Sequence, residues 1–76
     1  MERIALDQVP MNQSMTLLSA DVEAPVARRL SALGLRRGAE VSVVQRLSGG
    51  GRLVLVAGSR VALAKGVLAA MTVAAA

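Results

Sequence analysis

Apolar residues follow two spacings along the chain, one helical and one extended. Val26, Leu30 and Leu33 recur at i, i+4 and i+7, which predicts a helix over 25–33 with a single apolar face. Pro25 suits the first turn of that helix, because its missing N–H would have no intrahelical partner there. A helix this short is unstable alone, so its apolar face is expected to dock on a sheet.

Glycine marks the end of the predicted helix. Gly34 follows Leu33 and precedes Leu35. This is the pattern of a Schellman ending, in which a left-handed glycine turns the chain and the next apolar residue packs back, here on Leu30. Gly38 then permits a sharp turn into the following strand.

The rest of the chain alternates short apolar segments with turn residues, which is typical of β-structure. We expect a turn or single helical turn at 4–9, strands at 14–20, 39–47, 52–57, 61–63 and 71–73, glycine turns at 48–51 and 58–59, and a helical turn at 65–70. This pattern predicts a mainly β fold with one short α-helix, a small, partly open β-barrel. It is expected to form a single domain over 1–76, with its core in about 6–73 and a frayed tail at 74–76.

Composition narrows the chemistry. The 76 residues include no Cys, no His and no aromatic side chain. Ligands for zinc or iron, a thiolate nucleophile and a His-based relay are therefore missing, so we expect no enzymatic activity, no catalytic residue, no metal site and no cofactor. Aromatic platforms for stacking nucleobases are missing too, which argues against specific nucleic-acid binding.

The net charge predicts acidic partners, and the hydropathy pattern predicts a chain that does not span a membrane. Nine Lys and Arg against five Asp and Glu give a net charge of +4, which favours acidic partners. The apolar C-terminal half is interrupted by Arg60 and Lys65, and the run 66–76 is about half of the ~20 residues that a span needs. The start Met1-Glu2-Arg3 lacks a signal-peptide pattern, so a cytoplasmic chain without a transmembrane segment is expected.

Three segments of the chain follow a known pattern. Residues 29–43, RLSALGLRRGAEVSV, are similar to RLxxLGLxxGxxVxV, residues 58–63 are similar to G-x-x-[IVL]-A-L, and 71–73 have the apolar-x-apolar form of a closing strand. In this order and spacing the three segments resemble the FeoA family of small ferrous-iron transport proteins. The resemblance implies an SH3-like barrel. The matched residues that we expect to maintain this fold are Leu30, Leu33, Gly34, Gly38, Val41, Val43, Gly58 and Leu63.

One turn departs from the family's pattern. The family often has Pro-Gly before its first strand, whereas Met11 follows Pro10 here. If that turn needs a positive φ, Met11 would be strained in it, so the turn is expected to be rebuilt.

Two surfaces are candidates for partner contact. The first is an arginine cluster around the helix end, which suits an acidic partner but also complements the helix dipole: Arg28, Arg29, Arg36 and Arg37. The second is the strand 52–57, which is apolar from Leu53 to Ala57. In the family's register Leu53 and Leu55 point outward, toward a partner, a second copy, the N-terminal segment or the alanine tail.

The resemblance also implies a function. Members act with FeoB, a membrane GTPase permease, so the chain is expected to be a non-catalytic accessory or regulator of bacterial ferrous iron uptake. It would dock on the permease's cytoplasmic side, which would make it peripheral to the inner membrane through its partner. Two alternatives remain: an SH3-like regulatory module as in iron-dependent repressors, and a small barrel that binds nucleic acid weakly through phosphate contacts.

Overall fold

A computed structural model describes residues 2–76, and Met1 of the predicted domain lies outside them. Within these residues one antiparallel sheet contains six strands in the order β1-β6-β2-β3-β4-β5. The elements are β1 (Arg3–Ala5), β2 (Met15–Ala20), α1 (Ala24–Ala32), β3 (Glu40–Arg46), β4 (Arg52–Val56), β5 (Ser59–Leu63), α2 (Lys65–Ala69) and β6 (Met71–Ala75), with 3-10 turns at Leu6–Gln8 and Ser48–Gly50. The sheet curls without closing, so the predicted mainly β, partly open barrel is confirmed.

Two bulges and two long-range hydrogen bonds shape the curled sheet. The register shifts between Leu17 and Ser19 where β2 pairs with β6, and between Val43 and Gln45 where β3 pairs with β4. Each bulge bends its strand and increases the local twist. The N-terminal loop then crosses toward β3 and β4, because the backbone N–H of Asn12 donates to the Val43 carbonyl at 2.7 Å. A guanidinium N–H of Arg52 also donates to the Val9 carbonyl, at 2.8 Å.

The concave side of the sheet holds an aliphatic core. Helix α1 contributes Leu30 to it, and α2 packs with the Leu6–Gln8 turn and β6. Its members are Leu6, Val9, Met15, Leu17, Leu30, Leu35, Val41, Val43, Val54, Val56, Leu63, Leu68, Met71 and Val73. Within residues 2–76 no polar or charged residue is buried, so burial of aliphatic area is the main stabilising term.

The end of α1 has the predicted Schellman geometry. Gly34 has φ of +96°, its N–H donates to the Ser31 carbonyl at 3.0 Å, and the N–H of Leu35 donates to the Leu30 carbonyl at 2.9 Å. Leu35 is 3% exposed, which confirms the predicted packing back onto the helix. Gly38, at φ of +89°, turns the chain into β3.

The predicted packing of Leu33 is wrong. Its side chain is 44% exposed, although it has the same spacing as the buried Leu30. Leu33 is the C-cap residue, one position beyond the last helical residue Ala32. Leu35 returns into the core just after it, so the helix end is covered by Leu35 and Leu33 is left outside.

Both ends of the chain are more ordered than the sequence pattern indicates. Residues 3–5 form β1 where a turn was expected, and this strand pairs with β6 from Arg3–Ala74 to Ala5–Thr72. The predicted frayed tail is also wrong. Ala74 is fully buried and pairs with Thr16 on its other side, and β6 continues to Ala75.

The turn at Pro10 is rebuilt as the departure from the family's pattern predicts. The positive φ falls on Asn12, at +61°, and not on Met11. Asparagine tolerates the left-handed region better than most residues, since its short polar side chain can bond locally. Met11 is then free to pack against the core.

Ala57 is strained in the β4–β5 hairpin, which gives a testable consequence. Ala57 and Gly58 have φ of +50° and +78°, the signature of a type I′ turn, in which asparagine-glycine is favoured. We expect Ala57→Asn to stabilise the protein by about 0.5–1 kcal/mol, because it relieves part of the left-handed penalty. Urea unfolding followed by far-UV circular dichroism measures it. Ala62→Asn on β5 is the control, where no gain is expected; equal gains would contradict a turn-specific effect.

Candidate docking surface

The four arginines of the predicted cluster lie on two different elements. Arg28 and Arg29 belong to the last two turns of α1, while Arg36 and Arg37 lie in the loop that the Schellman ending directs toward β3. All four side chains are exposed. The cluster therefore spans the helix ending, with two arginines before Gly34 and two after it.

The outer side of β4 carries the expected apolar residues. Val54 and Val56 are 0% and 2% exposed and face the core, whereas Leu55 is 37% exposed and faces outward. Leu53 is half-buried. The alternation predicted for this strand is therefore present in the structure, although every residue in it is apolar.

A groove of about 500 Å³ joins this strand to the end of α1. We call it the Leu55 groove; its lining is Ser14, Gly34, Arg36, Ala39, Glu40, Val41, Ser42, Leu55, Val56, Ala57 and Gly58. The helix end and the hairpin meet closely here, because a Cβ at Gly34 would lie 3.3 Å from the Cβ of Ala57. Arg36 and Leu55 both line this groove.

The strand register places a second arginine beside Leu55. Across the sheet, Leu55 pairs with Ser42 on β3 and with Arg60 on β5. Directly paired residues point to the same face, so the exposed leucine lies between a hydroxyl and a guanidinium. The sequence prediction did not include Arg60. The register of the hairpin around Gly58, which pairs Arg60 with Leu55, is the sequence feature that could have identified it.

A second groove, of about 350 Å³, lies between α1 and β2. We call it the α1–β2 groove; its lining is Leu17, Leu18, Ser19, Ala20, Ala27, Leu30, Ser31, Leu35, Arg36 and Arg37. Arg36 therefore borders both grooves, while Arg28 and Arg29 line neither. Of the four predicted arginines, the structure brings Arg36 and Arg37 to concave surfaces.

Apart from the exposed Leu33, the residues predicted to maintain the fold divide into core and turn positions. Leu30, Val41, Val43 and Leu63 are at most 6% exposed, and Gly34, Gly38 and Gly58 all have positive φ.

Among residues 2–76 no group of three or more His, Cys, Asp or Glu could hold a metal ion. In the same part of the chain, no helix has both the length and the apolar character to cross a membrane.

The curled six-stranded sheet, with a helix between β2 and β3 and a second one before β6, defines a small SH3-like β-barrel protein. A family model described as the FeoA domain matches residues 4–75, so the chain belongs to the FeoA family. The resemblance drawn from residues 29–43 is thereby confirmed.

Solved FeoA structures are similar over nearly the whole chain. The zinc complex of Stenotrophomonas maltophilia FeoA is 33% identical, with a TM-score of 0.76 over 92% of this chain and 88% of that one. The solution structure of FeoA from Chlorobium tepidum is 26% identical, with a TM-score of 0.88 over 95% of this chain and 70% of that one.

The same fold occurs as part of larger proteins. A manganese-dependent transcriptional repressor is similar with a TM-score of 0.86 at 17% identity, over 97% of this chain and 42% of that one. At this identity the likeness shows the fold alone. A search of curated protein sequences found no match.

Proposed function

We propose that this protein is a non-catalytic accessory protein of bacterial ferrous iron uptake that docks on the cytoplasmic side of a FeoB-like permease. Membership of the FeoA family carries the proposal. The Stenotrophomonas maltophilia relative supports it, because that protein is described as a prokaryotic SH3-domain protein proposed to activate ferrous iron transport. The chain itself would be cytoplasmic and would reach the inner membrane through its partner.

The Leu55 groove is the docking surface that we infer. Protein interfaces combine a desolvated apolar centre with a polar rim, and arginine is enriched in them. Here Leu55 supplies an exposed apolar side chain, and Arg36 and Arg60 stand at its margins. Leu53 extends the apolar row along β4, and Leu33 adds a second exposed leucine next to Gly34.

Arg28, Arg29 and Arg37 would act at longer range in this proposal. They lie outside the Leu55 groove and are exposed, so they contribute to the positive field that steers an acidic partner and less to close contacts. A second copy of the chain could meet the same β4 row. Such a homo-oligomer would compete with the permease for Leu53 and Leu55.

Leu55→Gln is expected to weaken binding to the purified cytoplasmic portion of the permease by about tenfold, equivalent to about 1.4 kcal/mol. The substitution removes apolar area from the centre of the proposed contact while leaving the core residues Val54 and Val56 in place. Biolayer interferometry with the immobilised permease portion measures the affinity. Urea unfolding of the same variant checks that the fold is retained.

The matched control is Ala69→Gln, which introduces the same side chain at an exposed position of α2 outside the Leu55 groove. It is expected to bind as the wild type does. Wild-type affinity in Leu55→Gln would exclude the groove, and absence of binding by the wild type would exclude direct docking. Uptake of radiolabelled ferrous iron is measured in cells that lack the gene and in the same cells with the wild-type chain restored. Loss of uptake and its recovery would support a transport role over the repressor-like and nucleic-acid-binding alternatives.

A further inference from the structure

The α1–β2 groove combines a strand edge, an apolar floor and two arginines. β2 pairs with β6 from Met15 to Ala20 except at Leu18, where the register shifts, and it pairs with β3 at Met15 and Thr16 alone. At Leu17 the edge is occupied by the loop before β3, since the Leu17 N–H donates to the Ala39 carbonyl at 2.8 Å and its carbonyl accepts from the Gly38 N–H at 2.7 Å. Among residues 2–76, no strand lies beside Leu18–Ala20 on this edge.

Helix α1 forms the other wall of the groove. Ala27, Leu30 and Ser31 line it, and the small side chains at two of these positions leave space between helix and strand. The floor is apolar, because Leu17, Leu30 and Leu35 are core residues that also border the groove. A volume of about 350 Å³ is at the lower end of the range for ligand sites, enough for a few side chains.

The charge of the lining is one-sided. Arg36 and Arg37 contribute two guanidiniums, and the complete lining includes no carboxylate. Two other grooves differ, since Glu40 lines the Leu55 groove, and Asp21 and Glu23 line a third groove beside α2. Charge complementarity therefore assigns an acidic occupant to the α1–β2 groove in particular.

We propose that this groove binds an extended, acidic peptide segment of a partner protein. The segment adds a strand along Leu18–Ala20, places an apolar side chain on the floor at Leu30 and Leu35, and pairs a carboxylate with Arg36 and Arg37. Addition of a peptide to an exposed strand edge supplies backbone hydrogen bonds, while alternate side chains enter the groove. This proposal depends on the α1–β2 groove and not on docking to the permease, so the experiments can reject one proposal without rejecting the other.

Fluorescence anisotropy with a labelled, short peptide of alternating leucine and glutamate tests the proposal. The wild type is expected to bind it, and Arg36→Glu with Arg37→Glu to bind at least about tenfold more weakly. The matched control is Arg28→Glu with Arg29→Glu, which changes net charge equally at exposed positions outside the groove and is expected to retain most of the affinity. Equal loss in both double variants would show general charge attraction and overturn the proposal.

A second pair of variants separates shape from charge. Ala27→Leu fills the groove without changing the charge and is expected to reduce binding by about tenfold, whereas Ala32→Leu, on the exposed side of α1, is expected to have no effect. The wild type is expected to bind a peptide with serine in place of leucine about tenfold more weakly than it binds the original peptide. If Ala27→Leu binds the peptide as tightly as Ala32→Leu does, and the wild type binds the serine peptide as tightly as the leucine peptide, the proposed contact with an apolar floor is overturned.

Nuclear magnetic resonance locates the peptide. On titration, amide shifts are expected at Leu18, Ser19 and Ala20 and along Ala27 and Ser31. Shifts confined to Leu55 and Ala57 would assign the peptide to the other groove and overturn the proposal. A second outcome would also overturn the proposal: the peptide does not bind, and phosphatidylglycerol vesicles shift the amides of Leu18, Ser19 and Ala20. The ligand would then be an anionic membrane surface.

Discussion

Ala74→Asp is expected to destabilise the protein by several kcal/mol, whereas Ala75→Asp, one residue later in the same strand, is tolerated. Ala74 is fully buried between β1 and β2, where it pairs with Arg3 and Thr16. The aspartate side chain is larger than this fully buried methyl group, and desolvating its carboxyl costs several kcal/mol, which Arg3 and Thr16 on the same face offset only in part. That cost is a large part of the roughly 5–15 kcal/mol that stabilises a domain, and small domains lie at the low end.

Ala75 is the matched control for this substitution. It is exposed and lies in β6, so Ala75→Asp shares the lower strand propensity of aspartate, up to about 1 kcal/mol, without the burial. Far-UV circular dichroism in urea is the measurement, because the chain has no aromatic residue to report by fluorescence. Similar midpoints for the two variants would contradict the buried position of Ala74 and would favour the frayed tail that the sequence pattern indicates.

The elements that local chemistry determines could be predicted from sequence. The end of α1 is an example, since the Schellman motif needs only Gly34 and the apolar residues on either side of it, and the structure has the hydrogen bonds that define it. The β4–β5 hairpin is another, because Gly58 marks the turn and the flanking apolar segments supply the strands. In both cases the decisive residues lie within a few positions of each other.

Elements that depend on distant pairing could not be predicted in this way. β1 has three residues and is a strand because β6 lies beside it, about seventy positions along the chain. The tail 74–76 consists of alanine, which is depleted in strands, yet Ala74 is held by strands on both sides. Tertiary pairing overrides local propensity at both ends.

The docking surface shows the same division. Every residue from Leu53 to Ala57 is apolar, so the family's register and not the hydropathy pattern placed Leu55 outward, and the structure has this side chain 37% exposed. The four arginines, close in sequence, were expected to act together. In the structure Arg36 lines the Leu55 groove, while Arg28 and Arg29 lie on α1 outside it. The contribution of Arg60 depends on the hairpin register, which becomes visible when the strands are paired.

Leu30→Ala is expected to cost about 2–4 kcal/mol of unfolding free energy, while Leu33→Ala costs about 0.5 kcal/mol or less. Both residues belong to the predicted apolar face of one helix, but Leu30 is 5% exposed and Leu33 is 44% exposed. Leu30 also accepts the hydrogen bond from the N–H of Leu35 and belongs to the same core cluster as Leu35. A cavity at Leu30 would therefore weaken both the core and the helix ending.

The two leucine variants share their chemistry, so the difference between them isolates position. Each removes the same atoms. Alanine has the highest intrinsic helix propensity, so Leu30→Ala loses no stability through propensity, and Leu33 lies one position beyond the last helical residue. Urea midpoints from circular dichroism give the two free energies, and a common slope would show that the denatured state is unchanged. Equal losses would mean that Leu33 packs after all, whereas the expected difference would leave its exposed side chain free to contribute to partner contact beside Gly34 and Ala57.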